Sequence, residues 1–187
     1  TQLPDGSIVA TIFNKPSHGK MEGDVECWAS EDGGKLWRLR GVPAPHEPGT
    51  NRMNVAAGLG HDGAMLVLAS GWGGDGMRGQ VLAPWVCRSR DGGRTWERGG
   101  AVEIPEEAPY MIPFGDVVRL DEGVLAVSGY CARTTRGSTS YVFFSDDDGR
   151  TWTDASPIAE GDHNETDLLY LGDRKLLAAV RTATAKH

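Results

Sequence analysis

The chain has 187 residues, a formal net charge of −7, and 26 glycines beside ten prolines and six tryptophans. Its 19 basic residues are scattered rather than gathered in a run, and the acidic excess would repel a phosphate backbone, so nucleic acid is not an expected partner. No apolar run approaches the roughly 18 residues of a membrane helix, and no basic region followed by an apolar stretch opens the chain, so neither a membrane partner nor an export leader is expected. Cys27, Cys87 and Cys131 lack the paired spacing of a metal site and read as free buried thiols. No cofactor is expected, and the compartment stays open. Frequent turn signals favour many short strands, hence an all-β chain of one domain.

Two signals alternate along the chain. The first is a Leu followed by an acidic turn: Leu3-Pro4-Asp5-Gly6, Leu59-Gly60-His61-Asp62-Gly63, Leu120-Asp121-Glu122-Gly123 and Leu171-Gly172-Asp173-Arg174. An apolar run follows each one, over Ile8 to Phe13, Met65 to Ala69, Val124 to Val127 and Leu176 to Val180. Such runs suit strands covered on both faces, and Asp-Gly between them is a hairpin signal. The second signal is the frame Ser-x-Asp-x-Gly-x-Thr-Trp. It occurs as Ser30-Glu31-Asp32-Gly33-Gly34-Lys35-Leu36-Trp37, as Ser89-Arg90-Asp91-Gly92-Gly93-Arg94-Thr95-Trp96, and as Ser145-Asp146-Asp147-Asp148-Gly149-Arg150-Thr151-Trp152. Its Asp falls at 32, 91 and 147, a period of 59 and then 56 residues, which means stacked supersecondary units.

Each repeat reads as four antiparallel strands, the pattern of a propeller blade. In the second repeat they run through Asn54 to Leu59, Ala64 to Ser70, Val81 to Ser89 and Thr95 to Arg98. In the third they run through Asp116 to Leu120, Gly123 to Gly129, Thr139 to Ser145 and Thr151 to Asp154. The first repeat opens at its hairpin turn without an inner strand, and the fourth stops after its second strand. Approximate blades are therefore 1–50, 51–100, 101–160 and 161–187, two of them complete and flanked by two partial ones. Stacked blades left open expose two apolar faces, so the remainder of a propeller or a second chain is expected to close the ring.

The frame matches the Asp box of the bacterial neuraminidase repeat, and the chain resembles the sialidase superfamily of six-bladed propellers over nearly its whole length. The box itself is read as structural, with its Asp and Ser bonding the turn's own backbone. The triple acid Asp146 to Asp148 raises the question of a calcium loop, but the other two copies lack it. The resemblance implies an active site on the face away from the boxes. There it collects Asn14 to Asp24, Gly41 to Arg52, Gly71 to Gln80, Val102 to Pro113, Gly129 to Ser138, Ser156 to Glu165 and the residues after Arg181.

His163-Asn164-Glu165-Thr166 opens one inner strand and Arg181 closes the next, so a hairpin should bring Glu165 and Arg181 to the same rim. Sialidases similarly place a catalytic Glu and a substrate-binding Arg there. In that family an arginine cluster grips the substrate carboxylate, and a Tyr activated by the Glu attacks in place of a carboxylate nucleophile. Glu165 is thus the expected base. No Tyr here has the family's late-blade position, and one of the family's arginines would precede Thr1. The family's acid aligns with Met21, leaving Glu22 and Asp24 to substitute, and Lys15 stands where sialidases often have Arg. Arg52, His163, Tyr110 and Arg133 are candidate substrate-binding residues by position, with His18 and Asp116 beside them.

The alternative for Glu165 and Arg181 is an ion pair at the channel mouth, and for the others solvated loop residues. Asn164-Glu165-Thr166 also fits a glycosylation acceptor, although a glycan would block the proposed site. Gly71-Trp72-Gly73-Gly74-Asp75-Gly76 imitates a dinucleotide fingerprint, but no helix follows, so it reads as a Gly-rich rim loop. The expected function is a sialidase-like exo-glycosidase that takes the terminal sugar of a glycan as its carbohydrate partner. The alternative is a noncatalytic glycan- or protein-binding propeller.

Overall fold

The computed structural model describes residues 1–17, 19, 21–74, 79–134 and 137–182, with the side chains of 132–134 left out of the description. The elements are β1 (Ile8–Phe13), β2 (Val25–Ser30), β3 (Arg38–Ala44), β4 (Thr50–Leu59), β5 (Met65–Gly73), β6 (Gln80–Ser89), β7 (Glu97–Arg98), β8 (Ala101–Val102), β9 (Ile112–Arg119), β10 (Leu125–Thr134), β11 (Gly137–Ser145), β12 (Thr151–Ala159), β13 (His163–Gly172) and β14 (Lys175–Thr182). One 3-10 turn, Asp121–Gly123, forms the acidic turn between β9 and β10.

Each box is built by its own side chains. In the second copy Ser89 Oγ donates to Asp91 Oδ1 (2.8 Å) and accepts from Gly93 N (2.8 Å), while Asp91 Oδ1 accepts from Arg94 N (3.0 Å) and Thr95 N (2.9 Å). The third copy repeats this through Ser145 and Asp147. The first does so through Ser30 and Asp32. Thr95 Oγ1 and Thr151 Oγ1 add a bond of 2.6 Å to the second carboxylate oxygen, which Leu36 cannot make. Gly34, Gly93 and Gly149 all have positive φ, between 81 and 90°, where a Cβ would be strained.

Four donors on one carboxylate have a consequence for acid stability. The Thr95 hydroxyl, followed by the Thr95 amide and Ser89, holds the Asp91 carboxyl well below the usual carboxylate range. A folded-state pKa below the unfolded value of about 3.9 gives stability that is present above that value and lost as pH falls through the folded one. Asp91→Ala should therefore lower the urea midpoint at pH 7, and the gap to the wild type should close below about pH 3. A gap that persists undiminished in acid would mean that the carboxylate's charge is not what the turn uses.

The strands form a three-stranded sheet β1-β2-β3, a nine-stranded sheet in the order β7-β6-β5-β4-β9-β10-β11-β12-β8, and the hairpin β13-β14. Within the large sheet lie two antiparallel four-stranded meanders, β4 to β7 and β9 to β12. The expected four-strand order is thus present, with β7 shorter because Thr95 and Trp96 remain in the box turn. Two pairings go beyond the sequence reading. The inner strands β4 and β9 join in parallel, Ala56 opposite Gly115 and Gly58 opposite Val117. The linker after β7 also supplies β8, which pairs in parallel with Thr151 and Trp152 at the outer edge of the next meander. A stub of inner strand serves the first sheet, where Gln2 bridges Ile8 and Val9 N donates to Thr1 O (2.8 Å).

The core lies between successive sheets. Leu66, Leu68 and Val86 of one meander meet Leu125, Val127, Phe143 and Trp152 of the next, all buried. Val25 and Ala44 pack on Val67, Ala69 and Cys87 in the same way. All three cysteines are buried and outside any disulfide. Strand β5 is accordingly buried from Met65 to Gly71, covered on both faces as its apolar run implies. β14 departs from that expectation, because its residues alternate and Leu177 is 56 % exposed. It packs one face on the Ala126, Val142 and Leu168 cluster, and no described sheet covers the other.

Asp148 has a use that the turn itself does not explain. It adopts positive φ (60°) where the other copies carry Gly33 and Gly92, a conformation that Asp tolerates. From there its Oδ1 accepts from His61 N (2.6 Å), and its Oδ2 pairs with Arg88 Nη2 (3.3 Å), which also meets Asp62 Oδ2 (2.8 Å). Arg88 Nη1 donates to the Asp148 carbonyl as well. The extra acid of the third box is thus a staple to the neighbouring meander's acidic turn.

Candidate active site

That staple sets the acidic turns and the boxes at one end of the sheets. The starts of the parallel inner strands β4 and β9 therefore lie at the other end. β13 runs alongside β9: Ser128 Oγ reaches the carbonyls of both Phe114 and Thr166, and Asp116 N donates to Asp167 Oδ1 (3.0 Å). Glu165, near the start of β13, thus stands on the face away from the boxes.

A shift in the β13–β14 register, between the pairs His163–Thr182 and Thr166–Val180, brings Glu165 opposite Arg181. Arg181 Nη1 donates to Glu165 Oε2 at 2.5 Å. The Arg181 side chain is 62 % exposed and that of Glu165 31 %, so the pair faces solvent and contributes less than about 1 kcal/mol to folding. The next residue is fixed far more firmly. Thr166 is buried, its Oγ1 lies 2.6 Å from Ser140 Oγ, and it also donates to Asn164 O (2.8 Å). These bonds tie β13 to β10 and β11 and hold Glu165 in place.

Tyr130, on β10, lies in the electrostatic field of this pair. Its phenol is pushed up to about 12, first by burial and then by the Glu165 charge and Tyr110, while Arg181 acts the other way. At neutral pH it keeps its proton. Tyr130 was not among the residues singled out from sequence; counting along β10 from the Leu120 turn to the rim would have reached it. His163 caps its own loop, with Nδ1 2.9 Å from Glu160 O. His18 and the Arg133 side chain lie outside the described residues.

Glu22, Asp24 and Arg52 form a second group around the start of β4, where Gly23 bridges Asn51 and Arg52 N donates to Gly23 O (2.9 Å). Arg52 is 3 % exposed. It donates to Ala83 O (2.9 Å) and Glu47 Oε2 (3.1 Å), and it stacks 3.8 Å from the Trp85 ring centroid, with Arg98 at 3.9 Å from the same ring. Burial lowers its pKa, opposed by Glu47. Asp24 Oδ1 accepts from His46 N (2.7 Å) and lies 2.6 Å from His46 Nδ1. His46 Nε2 is 3.4 Å from Glu22 Oε2, and Glu22 Oε1 accepts from Gly49 N (2.7 Å). No hydrogen bond or ion pair among the described residues links this group to Glu165 and Arg181.

Asp-box turns at one end, stacked antiparallel four-stranded sheets and a rim of carboxylates and guanidinium groups at the other make a β-propeller segment. The chain belongs to the BNR repeat-like domain family, whose model matches residues 6–187. No curated protein matches it. Among solved structures it is similar to a Hadza microbial sialidase, Hz136, at 19 % identity and a TM-score of 0.79, covering 97 % of this chain and 41 % of that one. A Trypanosoma rangeli sialidase mutant displaying trans-sialidase activity gives 15 % and 0.69, over 97 % and 33 %. A Penicillium chrysogenum α-L-arabinanase complexed with arabinobiose gives 17 % and 0.64, over 90 % and 52 %. At these identities the likeness is one of fold, and the chain spans about half or less of each of these structures.

Proposed function

We propose that the protein is a sialidase-like exo-glycosidase that hydrolyses terminal sugars from glycans. In this reading residues 1–187 are part of a single six-bladed propeller, with complete blades over 51–100 and 101–160 and partial blades over 1–50 and 161–187. The observation that carries it is the Glu165–Arg181 pair, anchored through Thr166 and set beside the protonated phenol of Tyr130. Glu165 acts as the base. The exposed guanidinium of Arg181 keeps further donors for a sugar carboxylate or hydroxyl, an arrangement suited to two-pronged recognition. Structures of similar fold are named as sialidases and as an α-L-arabinanase complexed with arabinobiose, so sialic acid and arabinose head the substrate classes to try.

The test is release of 4-methylumbelliferone from a panel of sialosides, arabinofuranosides and neutral glycosides. One observation favours a noncatalytic, glycan-binding reading instead: both terminal nitrogens of Arg52 and the carboxylate of Asp24 are already engaged by protein partners. Binding of a glycan without turnover of any of the panel would decide for it.

A further inference from the structure

The two faces of β10 meet different neighbours. Leu125, Val127 and Cys131 lie in the core shared with the preceding meander, together with Tyr141 and Phe143 of β11. Ala126 lies in the opposite cluster, with Val142 and Leu168, against the β13–β14 hairpin. Side chains alternate along a strand, so Ser128 and Tyr130 share the face of Ala126. Ser128 shows this directly, because its Oγ donates to the Thr166 carbonyl on β13. Ser140 stands opposite Tyr130 in register, and its Oγ lies 2.6 Å from Thr166 Oγ1. Side chains opposite one another in an antiparallel pair share a face, so Tyr130 too is turned toward β13.

Strand direction fixes the rest. β10 runs from the acidic turn to the rim and β13 starts at that rim, so Tyr130 is the first side chain on this face beyond Ser128, as Glu165 is the first residue beyond Thr166. The Tyr130 side chain is partly exposed, and its hydroxyl makes no hydrogen bond among the described residues. Glu165 Oε2 is occupied by Arg181, yet the Glu165 charge acts on the phenol second only to burial and helps to push it up to about 12. At neutral pH the phenol is therefore a donor without an acceptor, beside a carboxylate and an exposed guanidinium.

We propose that Tyr130 is a substrate-binding residue, whose hydroxyl donates to an oxygen of the same sugar that Glu165 and Arg181 engage and so sets affinity without entering bond cleavage. The inference rests on the reading of Glu165 and Arg181 as a sugar site. Tyr130 and Arg181 supply donors there and Glu165 the acceptor, a set that matches the oxygens and hydroxyl protons of a saccharide. The group that meets Tyr130 is an acceptor oxygen. L-Arabinose offers hydroxyl oxygens alone, whereas N-acetylneuraminic acid adds a carboxylate and an acetamide, so the two sugars separate these cases.

The test compares Tyr130→Phe with the wild type. Titration calorimetry with arabinobiose and N-acetylneuraminic acid gives Kd, and their 4-methylumbelliferyl glycosides give KM and kcat. The exchange keeps the ring and removes a hydroxyl that has no partner among the described residues, so the fold should persist. For the sugar that binds, Kd and KM should rise about 3–10-fold, the loss of one neutral hydrogen bond, with kcat within about threefold of the wild type. In the wild type, the Tyr130 Cζ signal, assigned by its absence from Tyr130→Phe, should move when that sugar is added. Unchanged Kd and KM, or a signal that stays put while sugar binds, would overturn the proposal. So would binding of neither sugar, or a fall in kcat of about 10²-fold or more at constant KM, which would put the phenol in the chemistry itself. If sugar binds more weakly to Tyr130→Phe but the wild type hydrolyses nothing, the glycosidase reading fails and the role of Tyr130 in binding stands.

Discussion

Glu165→Gln should reduce kcat/KM for glycoside hydrolysis by about 10²–10⁴-fold while the protein stays folded. The amide keeps the shape of the side chain, and its carbonyl can still accept from Arg181, so geometry is largely retained. Only the ability to take a proton is lost. The fold does not depend on the exchanged group, because β13 is held by Thr166, Ser140 and Ser128 rather than by the exposed ion pair. A second readout comes from Tyr130. Part of its upward shift comes from the Glu165 charge, so its phenol should ionise at lower pH in Glu165→Gln, by ultraviolet titration at the tyrosinate band. Hydrolysis unchanged in this variant would remove Glu165 from the chemistry. An unmoved phenol would show that the two side chains do not sense one another.

Gly58→Ala should destabilise the protein by about 2–3 kcal/mol, although it adds a single methyl group to a strand interior. The reason is the parallel seam between β4 and β9. A Cβ on Gly58 would lie 2.4 Å from the Val117 carbonyl oxygen and 2.8 Å from the Val117 Cβ, and a backbone atom cannot swing aside as a long side chain can. Either the seam opens or both meanders shift against the shared Leu66, Leu125 and Phe143 core. Thermal unfolding should fall by roughly 4–12 °C for a chain of this size. Gly99→Ala is the control, since nothing lies within 4 Å of that position, and its melting temperature should stay close to the wild type's. Equal melting temperatures for the two variants would dissolve the seam.

The Asp box was legible because all these bonds fall within eight residues, so composition and order alone specify the turn. The same holds for the Glu165–Arg181 contact. A tight turn at Gly172 to Arg174 joins their strands, and pairing register carries the two side chains to one rim. The Leu176 to Val180 run misled because an apolar stretch reports what could be covered, not whether a neighbouring sheet covers it. Asp148 was illegible for another reason. The absence of its acid from the other two boxes argued against a cation, but not for what it does meet, because its counter-charge, Arg88, lies 60 residues away in sequence.

Local order thus decided the turns, the four-strand repeats and the hairpin that presents Glu165, since each depends on residues close together in the chain. Tertiary structure alone decided the β4–β9 seam, the β8 addition, the burial of Arg52 against Trp85 and the Asp24–His46–Glu22 group. Asp24 and His46 are 22 residues apart and belong to different loops. Nothing in the spacing of either loop predicts a 2.6 Å approach; it follows from the way the first sheet packs on the second.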